Sequence, residues 1–104
     1  MKWTHQLVFQ FAASSLDDFD ELSNIELAIE RSLPNGAHLD GHDFGMGEYN
    51  VFIHTNDPVA IFEPVCEMID RRNPGIAFSA AYRNFNEDEY TVLWPPSLTK
   101  FAIS

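Results

Sequence analysis

Apolar and polar positions alternate near the start of the chain. Leu7, Phe9 and Phe11 fall on one side, and Gln6, Val8 and Gln10 on the other. Period two predicts a half-buried strand. The pattern then changes. Leu16, Phe19, Leu22, Ile25, Ile29 and Leu33 step by three or four, the spacing of one helical face. Ser14 or Ser15 is placed to cap this helix, Asp17, Asp18, Asp20 and Glu21 suit its positive end, and Pro34-Asn35-Gly36 stops it. Two strands follow, joined by Gly45-Met46-Gly47, and the second, EYNVFIHT, is rich in β-branched and aromatic residues. A second helix starts with Asp57 as cap and Pro58 in the first turn, and ends near Arg71 and Arg72. Pro64 falls inside it and predicts a kink or a delayed start.

GIAFSAAYR and EYTVLWP predict two more strands around the acidic turn NFNEDE. Ile76, Phe78, Ala80 and Tyr82 share one face, as do Tyr90, Val92 and Trp94, and Pro95-Pro96 ends the last strand. Phe101 and Ile103 give the tail apolar side chains with which to dock on the body. The order β-α-β-β-α-β, plus one strand, predicts a single α+β domain over residues 1–104. Its expected form is a ferredoxin-like antiparallel sheet, with both helices on one face and an extra C-terminal strand. The other face is expected to be open.

Parity decides which residues line that open face. If Leu7, Phe9, Phe11, Tyr49, Val51 and Ile53 face the helices, a three-residue loop Gly45–Gly47 pairs Phe44 with Glu48 and His42 with Asn50. It also pairs Asp40 with Phe52 and His38 with His54. The predicted binding face therefore carries His38, Asp40, His42, Asn50, Phe52 and His54, flanked by Gln10, Ser79 and Arg83. This register points Asp43 inward, a defect that a bulge at Gly41 or an early end to pairing would relieve. A four-residue loop would bury the histidines without evident partners.

Composition narrows the function. The chain has 104 residues, 45% of them hydrophobic, enough for a packed core without metals or disulfides. Sixteen acids against six basic residues give a net charge of −10, which repels nucleic-acid phosphates and anionic membranes and attracts basic proteins. Cys66, the single cysteine, lies in an apolar helical stretch and is expected to be an inert thiol. The opening MKWTHQLVFQFAASS resembles a weak signal peptide, but glutamines break its short apolar run. A soluble, cytoplasmic protein is expected.

Three chemistries bear on the histidine-rich ribbon. Strand residues four apart, such as His38 and His42, stand roughly 13 Å apart, too far to share an ion, although His38 and His54 across the hairpin are close enough. No metal or other cofactor is predicted. RNA-recognition sheets present a basic residue and several aromatics here, whereas this strand offers Glu48, Asn50 and Phe52. No nucleophile–base pair or phosphate-binding glycine loop stands out.

The stretch DGHDFGMGEYNVFIHTNDPVAIFEPV, from Asp40 to Val65, resembles a loose group of small bacterial proteins with no agreed activity. They share a glycine-turn hairpin, an NVFI-like strand and a T-x-D-P helix start. The resemblance implies a ferredoxin-like fold and, by the habit of small acidic proteins of this sort, an immunity-type role. The reading favoured over an enzyme is a non-enzymatic protein-binding module, immunity-type or regulatory, that engages a basic partner. Its contact surface would be the open face or the acidic helix that includes Asp17, Asp18 and Asp20. Exposed sheet edges also allow a homodimer. The alternative is a small dimeric αβ-barrel enzyme, monooxygenase-like, using a sheet histidine as base.

Overall fold

A computed structural model describes residues 3–13 and 15–103. Its elements are β1 (His5–Ala12), α1 (Leu16–Ser32), β2 (Ala37–Gly45), β3 (Glu48–Thr55), α2 (Pro58–Arg72), β4 (Ser79–Asn84) and β5 (Thr91–Trp94). The strands form one sheet in the order β2-β3-β1-β4-β5, and every neighbouring pair is antiparallel. No helix among the described residues is long and apolar enough to cross a membrane.

The predicted caps form. The Ser15 hydroxyl accepts from the Asp18 amide at 3.1 Å, and the Asp57 carboxylate accepts from the Ala60 amide at 3.2 Å. Each satisfies one of the amides that a helix start leaves without an internal partner. Ser14, the other candidate cap, and the side chain of Leu16 lie outside the described residues. Pro64 does not delay α2, which runs unbroken from Pro58 to Arg72. Ala60 and Pro64 are both exposed, so the carbonyl that Pro64 cannot serve lies on the solvent side.

The main core has the predicted parity. Leu7, Phe9 and Phe11 of β1 and Tyr49, Val51 and Ile53 of β3 pack against Leu22, Ile25 and Ile29 of α1 and Ile61, Val65 and Ile69 of α2. Both helices thus cover one face. The opposite face, expected from the sequence to be open, is covered over part of its area. Val8 and Ala81 are fully buried there beneath Phe101, with Phe52, Tyr90, Val92, Leu98 and Ile103 around them. The tail after β5 crosses that half of the sheet and buries its apolar residues against it. Gln10 donates from Nε2 to the Ala102 carbonyl at 3.0 Å, which pins the crossing.

Two registers differ from expectation. The β2–β3 turn has two residues, Met46-Gly47, with Gly45 opposite Glu48 and Phe44 opposite Tyr49. Both turn residues have positive φ, +55° and +78°, the backbone that lets a two-residue turn follow strand twist. A bulge between Leu39 and Gly41 then absorbs one residue, so His38 still meets His54 but His42 meets Val51 and Asp43 meets Asn50. The bulge foreseen at Gly41 therefore turns Asp43 away from the helices, and it turns His42 toward them. A second irregularity, between Ala80 and Ala81, puts Trp94 opposite Ala80. Trp94 stacks on Phe78 at 6.4 Å and does not share a face with Tyr90 and Val92.

Candidate functional site

The tip of the β2–β3 hairpin combines features that stability alone would not select. Met46 takes a left-handed backbone that favours Gly, Asn or Asp, yet it is a large apolar residue 83% exposed. Phe44 beside it is 38% exposed. The tip thus presents two apolar side chains to solvent side by side.

The tip is fastened to the segment before α1 and to α1 itself. The Ala13 amide donates to the Gly47 carbonyl at 3.0 Å, and Phe19 of α1 packs on Phe44 at 5.0 Å between ring centres. Farther along the ribbon, Glu26 is the hub. Its Oε1 accepts from the Tyr49 hydroxyl at 2.5 Å and lies 2.7 Å from His42 Nδ1. His42 stacks on the Tyr49 ring at 4.8 Å and meets the Phe19 ring edge-on. Ser23 Oγ lies 3.4 Å from the Tyr49 hydroxyl. The Glu26 side chain is only 12% exposed, so these donors replace the water it has lost. Burial, and then the hydrogen bond to Glu26, pushes the Tyr49 phenol well above its ordinary pKa.

The predicted site residues are therefore divided. His42 was expected on the open face with His38 and His54, but the bulge places it on the helix side, in the Glu26 network. His38, Asp40 and His54 do meet on the far face. The two imidazole centres are 6.4 Å apart, and His54 Nε2 lies 3.4 Å from Asp40 Oδ2. The His54 ring also rests edge-on against Phe85 at 5.0 Å. Among the described residues no group of three or more His, Cys, Asp or Glu is arranged to hold a metal ion. Asn50 was expected on the open surface and is instead 1% exposed, accepting from Gln10 Nε2 at 3.0 Å. Phe52 packs against the tail cluster. Asp17 and Asp20 are exposed and Asp18 is half-buried on the first turns of α1.

Charge marks one part of this surface. No lysine or arginine occurs from residue 3 to 30 or from 32 to 70. Asp17, Asp18, Asp20, Glu21, Glu26 and Glu30 lie on α1, and Asp40, Asp43 and Glu48 lie on the hairpin that α1 holds. On α2, Glu67 has Arg71 at 4.0 Å. Cys66 is half-buried, and burial followed by the charges of Asp70, Glu67 and Glu63 raises its thiol pKa, which keeps it protonated and unreactive.

Sequence reasoning placed acids along α1 but did not single out Phe44, Met46, Glu26 or Tyr49. For Met46 a signal was present, since an apolar residue stood where turn chemistry asks for Asn or Gly. For Glu26 nothing in the pattern showed that it faces His42. Comparison with known protein families, with curated proteins and with solved structures finds no match.

Proposed function

We propose that this protein is a non-enzymatic binding module, of the immunity or regulatory kind, that engages a basic protein. The contact surface is the first half of α1 together with the tip of the β2–β3 hairpin. One observation carries this reading. Exposed Phe44 and Met46 sit on an acidic hairpin that packs on α1, and neither the hairpin nor α1 before Arg31 carries a lysine or arginine. Apolar anchors inside a charged rim are how protein interfaces gain both affinity and rapid association. The strand order β2-β3-β1-β4, with α1 and α2 as the crossings, supports a ferredoxin-like description of the fold with β5 appended.

A decalysine peptide, titrated while backbone amides are followed by NMR, tests the reading. Shifts should concentrate on Asp17–Glu30 and Asp40–Glu48. Asp17→Lys, Asp18→Lys and Asp20→Lys together should weaken binding and flatten its salt dependence. Glu63, Glu67, Asp70, Glu87, Asp88 and Glu89 act as an internal control. If shifts spread equally over these acids, the peptide senses net charge alone and the proposed surface is wrong.

The Glu26–His42 pair favours a second reading, an enzyme with His42 as base. Glu26 at Nδ1 orients the ring as a carboxylate orients catalytic imidazoles, leaving Nε2 as the acceptor. Against it, a cleft of about 490 Å³ lies between Phe11, Glu48, Phe78 and Pro95, and His42 does not line it.

A further inference from the structure

The sheet has two edges, and they are built differently. β5 is four residues long and runs into Pro95-Pro96. Short length and proline are standard protections against pairing with another chain. β2 is nine residues long and contains no proline, lysine or arginine. Its protection is limited to the bulge at Asp40, which leaves Ala37–Leu39 and Gly41–Gly45 as regular runs on either side. The outer side of β2 thus offers unpaired backbone donors and acceptors in a row.

Beside this edge, on the α1 side, lies a cleft of about 390 Å³ lined by Glu30, Leu33, Pro34, Ala37, His38 and Leu39. Leu33, Pro34, Ala37 and Leu39 give it apolar patches within a mostly polar lining, and its acid is Glu30, which is exposed. An aliphatic stem with a cationic head fits such a cleft, and that is the shape of lysine or arginine. The other row of an added strand would meet Asp40 and Asp43, both exposed. A second copy of this chain brings net −10 against net −10 to the same edge, so charge selects a basic strand over self-pairing.

We infer that an extended segment of a basic protein adds to the outer edge of β2 as a sixth strand, with one lysine or arginine side chain in the cleft beside Glu30. Backbone hydrogen bonds supply affinity and alternate side chains supply selectivity. This deepens the proposed function and rests on it.

The probe is an octapeptide of alternating lysine and valine, compared with the same peptide N-methylated at alternate backbone amides. Charge is identical in the two, but the methylated form cannot complete a strand ladder. The unmodified peptide should slow hydrogen exchange of β2 amides and bind about tenfold more tightly than the methylated one, the effect of losing one or two net hydrogen bonds. Glu30→Gln and the pair Asp40→Asn, Asp43→Asn should each weaken it several-fold, whereas Glu63→Gln should not. Equal binding of both peptides, with shifts on α1 and the hairpin tip and no protection along β2, overturns strand addition while leaving the proposed function standing. Failure of both peptides to bind overturns both readings. Protection of β2 amides in the protein alone, accompanied by a dimer in light scattering, overturns the choice of occupant.

Discussion

Gly41 and Met46 of the β2–β3 ribbon hold unusual backbones, and they do so for opposite reasons. Gly41 has φ +137° at the bulge, where a side chain would meet nothing within 4 Å. Its requirement is conformational and not steric. Gly41→Ala should therefore destabilise the protein by about 1–3 kcal/mol. Met46 occupies a left-handed turn position with a side chain that does not suit it. Met46→Asn should raise stability by up to about 1 kcal/mol, because Asn tolerates that backbone. Urea denaturation of both variants checks the pair, and the expected shifts are opposite in sign. A stabilised Met46→Asn protein would show that the native residue is kept at a cost to folding, as a contact residue would be.

At the scale of elements, α1 and the hairpin are joined by one half-buried carboxylate. Tyr49 and His42 both lean on Glu26, and the rings of Phe19 and Phe44 close around them. Tyr49→Phe removes one donor from a carboxylate that water scarcely reaches. A hydrogen bond to a charged group contributes about 1.5–3 kcal/mol, and the variant should lose stability of that order. The same change has a pH signature. Folding raises the Tyr49 pKa, so above about pH 10 the unfolded chain releases a proton that the native state keeps. The stabilising contribution is complete below that pH and is lost as pH rises toward the higher native value. Denaturation midpoints measured from pH 8 to 11 should fall for the natural protein, and the fall should be shallower for Tyr49→Phe.

At the scale of the molecule, two cores of unequal size share one sheet. The larger lies under the helices, and the smaller lies under the tail around Val8, Ala81 and Phe101. A domain of this length has a net stability of about 5–15 kcal/mol. Phe101 is 7% exposed, and Phe101→Ala should cost about 3 kcal/mol, a large share of that total. The tail covers part of the far face, on the side of the sheet opposite α1. Binding of the lysine peptide should therefore be unchanged in Phe101→Ala while its urea midpoint drops. Loss of peptide binding at full folding would mean that the tail belongs to the contact surface.

The sequence by itself determined the order of elements, both helix caps, the parity of the main core and the acidic character of α1. All of these rest on local chemistry. A 3.6-residue or two-residue period, a serine or aspartate before a helix, and a run of like charges express themselves within a few residues. Even the tail was foreshadowed, since Val8 broke the alternation of its strand on the side called open. Tertiary structure alone decided the rest. One extra residue at Asp40 reversed the facing of everything between it and the turn, because side-chain direction in a strand flips with each residue. That shift removed His42 from the other histidines and gave it to Glu26, a partner sixteen positions earlier on a different element. The burial of Asn50 and the path of residues 95–103 were likewise matters of which distant surfaces needed covering. Hydrophobic burial is non-directional, so the pattern shows that a residue will be covered but not by what.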